Sequence, residues 1–180
     1  FDSSIEDITD MSARELAEYI VYRQQIILAL HKLNTSKEKS EKKIHNLFMK
    51  MKTEYFKDTH ETYDHNLWLF DDKFMTYIYA ASDVAIEKYK RALDEVNVYN
   101  SKYRPDLAVF FSGTDTDNGR DAIVIEFKAC GASIDEKSKS FWEINRNAQA
   151  IRDSIENINR IWCYTITSFD DIFKKNIKAQ

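Results

Sequence analysis

The sequence predicts an α/β fold in the order helix, three strands, helix, strand, with one further helix added at the N-terminus. Three observations carry that expectation. Asp106-Leu107-Ala108-Val109-Phe110-Phe111 and Ala122-Ile123-Val124-Ile125-Glu126-Phe127-Lys128 are short apolar runs rich in β-branched and aromatic residues, the pattern of buried strands. The segment between them, Ser112 to Gly119, is dense in turn-forming residues, so the two runs form an antiparallel hairpin. On either side of the hairpin, apolar residues recur at helical spacing.

Taken in order, Ser12-Ala13-Arg14-Glu15 fits a capping box, and Leu16, Ile20, Ile27 and Leu30 follow it as far as the polar break at Asn34-Thr35-Ser36. This helix is expected to pack on one side of a sheet or against a partner. A second helix, Lys39 to Lys52, carries an apolar stripe of Ile44, Leu47, Phe48 and Met51. Glu41 shares the face of Ile44 and Phe48 and so borders the core. Leu67-Trp68-Leu69-Phe70, ending in Asp71-Asp72, reads as the first strand, and Asp83 to Val96 as a helix leading to the hairpin. After Lys128 the pattern breaks at Cys130-Gly131-Ala132-Ser133. Phe141, Ile144, Ala148, Ile151 and Ile155 then mark a helix whose polar side carries Asn145, Gln149 and Arg152. Ile161 to Thr167 closes the fold as a strand. The division expected is an N-terminal helical extension over 1–38 and an α/β core over 39–180.

Composition sets bounds on this scheme. A chain of 180 residues makes one ordinary domain, and three glycines and one proline exclude collagen-like repeats and flexible linkers. Cys130 and Cys163 are too few for a disulfide framework and form no CxxC pair, which fits a reducing, cytoplasmic setting. No run approaches the roughly twenty apolar residues needed to span a bilayer, so no membrane partner is expected. The start at Phe1 suggests a piece of a longer polypeptide or a processed chain. A formal charge of −4 argues against a surface that grips nucleic acid everywhere. Local patches would have to serve: Lys37, Lys39, Lys42 and Lys43, then Lys50 and Lys52, then Lys137 and Lys139. The same lysines also read as solvated helix ends.

The hairpin concentrates the chemistry. Side chains alternate along a strand, so Glu126 and Lys128 share a face with Val124 while Ile123, Ile125 and Phe127 take the other, and the hairpin brings Asp106 close to both charges. Burying such groups costs free energy unless they are paired or bind an ion. Taken singly, each is equally a salt-bridged strand end. His45 and His65 have no second histidine at ligand spacing and read as hydrogen-bonded groups near the core. Trp68, Trp142 and Trp162 read as packing rather than a base-stacking platform, and Asp115, Asp117 and Asn118 as a turn.

The element order and these residues resemble the PD-(D/E)XK nuclease superfamily, from about Ser40 to Thr167. More narrowly, Ile44-His45-Asn46-Leu47-Phe48, His65-Asn66-Leu67-Trp68-Leu69, Ala80-Ala81-Ser82-Asp83, Arg104-Pro105-Asp106 and Ile125-Glu126-Phe127-Lys128 resemble a bacterial nuclease-like domain found behind gyrase-type (GHKL) ATPase domains. The resemblance implies a restriction-endonuclease-like core, a mixed sheet flanked by helices. It implies a catalytic set of Glu41 from the first core helix, Asp106, Glu126 and Lys128 from the hairpin, and Gln149 from the following helix, with Asp106, Glu126 and Glu41 holding Mg²⁺ or Mn²⁺. It further implies a metal-dependent DNA endonuclease in bacterial defence or repair, with DNA, a homodimer mate or an ATPase domain of the same chain as partners. Where that subgroup has a basic-Pro segment after the third strand, this chain has Ala129-Cys130-Gly131. Two other readings stand beside it: a catalytically silent domain of the same fold that binds nucleic acid or a protein, and a dimerisation module built on the Leu16 to Leu30 helix.

Overall fold

The computed structural model describes residues 2–35, 40–57, 64–93, 101–113 and 119–178. The chain divides into two units, Phe1–Glu38 and Lys39–Gln180. The first is one helix, α1, Asp2–Thr35. It runs straight through Ser12, so the Ser12-Glu15 box caps nothing; no glycine or proline interrupts residues 2–35. Met11, Leu16, Ile20 and Ile27 along it are exposed.

The second unit is α/β. Its elements are α2 (Glu41–Phe48), β1 (Thr53–Phe56), β2 (Tyr79–Ser82), α3 (Ile86–Ala92), β3 (Leu107–Ser112), β4 (Arg120–Phe127), α4 (Ile134–Ser154), β5 (Ile158–Ile166) and α5 (Asp171–Lys178). The five strands make one mixed sheet in the order β1-β2-β3-β4-β5. The first four pair antiparallel, and β5 returns through α4 to lie parallel to β4. That return is the crossover a parallel pair requires.

Both sheet faces are covered around β4. On one, Tyr79, Ala81, Ala108, Phe110, Ala122 and Val124 pack with Ile86 and Tyr89 of α3 and Ile144 and Ile151 of α4. On the other, Phe127 stacks under His45 at 4.8 Å and tilts against Phe48 at 5.2 Å, seating α2. The observed hairpin matches the expected one, with Leu107 opposite Ile125 and Phe110 opposite Ala122. The acidic residues expected to form its turn, Asp115, Asp117 and Asn118, lie outside the described residues, as do Lys37, Lys39 and the expected helix end at Val96.

Several expectations change. Leu67-Trp68-Leu69 is a short 3₁₀ turn, not a strand. Asn66 holds it there: its N–H donates to Phe48 O at 2.6 Å, its amide donates to Leu47 O at 2.7 Å, and it accepts from the Trp68 indole at 3.1 Å. The backbone is thereby tied to the end of α2 instead of a ladder. The strands that precede the hairpin are β1 and β2, with β1 at the sheet edge. Tyr79-Ala80-Ala81-Ser82 is fully buried between β1 and β3, and its small residues give little strand signal in the sequence. α2 stops at Phe48 because Met49 turns extended and bridges His65. α3 starts at Ile86, after Asp83 takes a left-handed φ of 51° and Ala85 an extended one. α4 begins at Ile134 under a true capping box, Ser133 with Glu136. α5 was not anticipated. Of the tryptophans only Trp68 packs; Trp142 is 79% and Trp162 39% exposed. No helix among the described residues is long and apolar enough to cross a membrane.

Candidate active site

The β3–β4 register sets Leu107 against Ile125, so Asp106, one residue further, faces Glu126. Asp106 is fixed by the strand it precedes: its Oδ2 accepts the Phe127 N–H at 2.7 Å, and its carbonyl accepts the Asp83 N–H at 3.0 Å. Glu126 is 6% exposed and continues the face of Ala122 and Val124, the face that α3 and α4 cover. Lys128, two residues on, reaches back along the same face and donates to Glu126 Oε1 at 2.8 Å.

The structure adds a residue outside the expected catalytic set. Glu143 of α4 meets Lys128 Nζ at 2.9 Å and Lys139 at 3.5 Å. Its place, near the middle of α4, could have been found by counting from the Ser133-Glu136 box. The box fixes the helix phase, and Lys137, Ser140, Ile144, Asn147 and Ile151 define the inward face that Glu143 borders.

Glu41, in the first turn of α2, joins from the rim: it lines the same cleft as Lys128 and Ala129. Burial raises its carboxyl above the ordinary value, with Lys128 pulling down and Asp106 pushing up. Gln149 does not join. It is exposed, and its amide donates to Asp153 at 2.7 Å on the outer side of α4, so the expectation of a catalytic Gln149 is corrected. Helical phase is the reason, since the six residues from Glu143 to Gln149 carry the side chain about 120° round the helix, away from Lys128. Lys137 is corrected as well: it is completely buried and paired with Asp170 at 2.6 Å, and belongs to no basic patch.

The electrostatics follow from crowding. Burial pushes the Glu126 carboxyl up to about 8, repulsion from Asp106 adds to the rise, and Lys128 opposes it. Burial also raises Asp106, against the Phe127 N–H and Lys128. For Lys128, burial favours the neutral amine, yet the hydrogen bonds to Glu126 and Glu143 prevail and hold it charged beyond its usual range. Two ammonium groups, Lys128 and the exposed Lys139, thus face four carboxylates, Glu41, Asp106, Glu126 and Glu143, too little positive charge for the site. Beside it opens a cleft of about 410 Å³, lined by Glu41, Lys128, Cys130, Gly131, Lys139 and Glu143. Gly131 turns the loop at φ 83°, a conformation suited to glycine, and its N–H donates to Ser168 at 2.9 Å.

Among the described residues, no three His, Cys, Asp or Glu side chains form a metal-ligand group by themselves. His45 and His65 are core residues, bonded to Ser82 and Tyr77 at 2.7 Å each. Asp106 and Glu126 supply an all-oxygen pair whose raised carboxyl groups a hard dication would relieve, and in that respect they fit Mg²⁺ or Mn²⁺. Comparison of the chain with protein-family models, with curated proteins and with solved structures finds no match.

Proposed function

We propose that the second unit is a metal-dependent phosphodiesterase of the PD-(D/E)XK kind, cutting DNA. The observation that carries this reading is the convergence of Asp106, Glu126 and Lys128 at the ends of two paired strands, beside an open cleft. The sheet order, four antiparallel strands followed by a helix and a parallel strand, supports it.

In this reading Asp106 and Glu126 would hold the cation, with Glu41 at the rim as a further carboxylate, while the Phe127 N–H and Lys128 hold those two carboxyl groups in place. A bound Mg²⁺ or Mn²⁺ supplies charge neutralisation on the phosphate and a more acidic water. The chain's own residues do the rest. The Phe127 N–H fixes the Asp106 carboxylate. Lys128 keeps its proton and presents a fixed positive charge where charge builds up on phosphate oxygens. Glu143 holds Lys128 at the cleft wall, and Lys139, exposed at its mouth, attracts the backbone of the incoming strand. The setting in defence or repair, and any ATPase partner, belong to the same proposal.

A second reading has one observation behind it: Lys128 is clasped by Glu126 and Glu143 together, which is also how a silent domain would neutralise a buried lysine. Incubating supercoiled plasmid with the purified chain, with Mg²⁺ or with EDTA, separates the two. Metal-dependent nicking is expected. Intact plasmid at every metal tried, with DNA still bound, would favour the silent domain.

A further inference from the structure

The sheet face opposite Glu126 carries a second cleft, of about 330 Å³. Phe74, Phe111 and Ile123 line its floor, and Trp162 and Tyr164 of β5 form its wall. The parallel register sets Trp162 beside Ile123 and Tyr164 beside Ile125, so both rings leave β5 on the face that α4 does not cover. They are 39% and 37% exposed, whereas Phe74 beneath them is 4% exposed. β5 is an edge strand, a place that proteins commonly guard with charge; two half-exposed aromatic rings there offer π surface instead.

The polar groups are placed at the rim. Arg160 lies over the Trp162 ring at 5.3 Å and is held in that pose by Asp121, with contacts of 2.8 and 3.2 Å. Lys73 stands on the far side, over Phe74 at 5.2 Å.

We propose that this cleft takes an unpaired base of a single-stranded nucleic acid, stacked against Trp162 and Tyr164 with its phosphates beside Arg160 and Lys73. Aromatic side chains on a sheet face are a recurrent platform for splayed bases, and stacking of this kind tolerates any base. A cleft of this volume admits one or two planar rings, and a base inside a duplex cannot enter it. A purely apolar ligand would have no use for two cations at the rim, each held in place by a carboxylate, Arg160 by Asp121 at 2.8 Å and Lys73 by Asp71 at 3.2 Å. A second strand docking on the β5 edge would pair with its backbone and leave the cleft empty. The proposal is independent of cleavage, because Asp106 and Glu126 lie on the other face.

The test uses the full chain in EDTA and follows fluorescence anisotropy of labelled oligothymidylate and of an abasic oligonucleotide of equal length. Parent, Trp162→Ala and Trp162→Phe proteins are compared, with melting curves on each. Trp162→Ala should weaken oligothymidylate binding by about ten- to hundredfold, and Trp162→Phe should restore most of it. The abasic strand should bind the parent about as poorly as oligothymidylate binds Trp162→Ala. Equal affinity of the parent for both oligonucleotides, parent-like binding by folded Trp162→Ala, or no binding by the parent overturns the proposal. A sedimenting dimer in which Trp162 is shielded from a soluble quencher also overturns it, since a second copy would then fill the cleft.

Discussion

Glu143 of α4 and Lys128 at the end of β4 meet at 2.9 Å, joining the helix that crosses over the sheet to the strand that carries the buried carboxylate. The contact makes Lys128 the node of the site, with Glu126 on its other side at 2.8 Å.

Replacing Lys128 by Met distinguishes a group that acts on substrate from one that balances charge. The substitution should leave oligonucleotide affinity near the parent value and lower plasmid nicking by about a hundred- to thousandfold, the usual loss for one transition-state contact. Nicking in proportion to folded protein would assign Lys128 to charge balance alone.

Glu126→Gln removes one of the crowded carboxylates. In EDTA the variant should melt at or above the parent temperature, because burial and repulsion from Asp106 make the native carboxyl costly to ionise. Added Mg²⁺ should raise the parent's melting temperature and not the variant's. A parent that shows no metal-dependent shift would remove the cation from Asp106 and Glu126.

His45 should make the fold acid-sensitive. Burial lowers its pKa from the usual 6.5 to about 4, so the native state holds the neutral ring that bonds Ser82. A depressed histidine contributes stability that is complete above pH 6.5 and lost as pH falls toward 4, on the order of 3 kcal/mol across the window. Glu126, raised to about 8, works in the opposite sense, gaining stability as pH falls from 8 toward 4.5. The effect of His45 is therefore read as the difference between parent and His45→Gln in urea unfolding at pH 7 and pH 4.5. Parallel stability curves for the two proteins would refute it.

Lys137 and Asp170 predict an asymmetry between partners. Lys137 is fully buried and Asp170 is half-exposed, so Asp170→Asn strands an ammonium without its counter-charge, whereas Lys137→Met removes the charge and keeps most of the packing over Phe173. Asp170→Asn should lower the melting temperature by several degrees, about twice the effect of Lys137→Met or more. Equal effects would mean that water replaces the carboxylate.

The hairpin was legible because its two strands are long, apolar and β-branched, and strand alternation alone placed Glu126 and Lys128 on one face. β1 and β2 were not, since Thr53-Glu54-Tyr55-Phe56 is short and mixed and Tyr79-Ala80-Ala81-Ser82 owes its strand state to neighbours on both sides. Leu67-Trp68-Leu69-Phe70 shows the reverse error: an apolar run buried by a turn rather than a ladder. Gln149 came from the family resemblance, whereas the Ser133-Glu136 box fixes the phase of α4 and its packing on β4 and β5 brings Glu143 to Lys128.

The parallel seating of β5 has a temporal side. Glu41 is separated from Asp106 by β1, β2 and α3, and Asp106 from Glu143 by the hairpin and the first half of α4, so the contacts that unite them are non-local and close slowly. As the polypeptide leaves the ribosome, β3 and β4 can zip together while α4 is still unmade, which leaves Asp106 and Glu126 side by side with Lys128 but without Glu143. Only when α4 docks and β5 registers alongside β4 does Lys128 gain its second anchor. The completed cluster thus arises late in folding, and a chain stopped short of Glu143 would carry the hairpin carboxylates in an unfinished pocket.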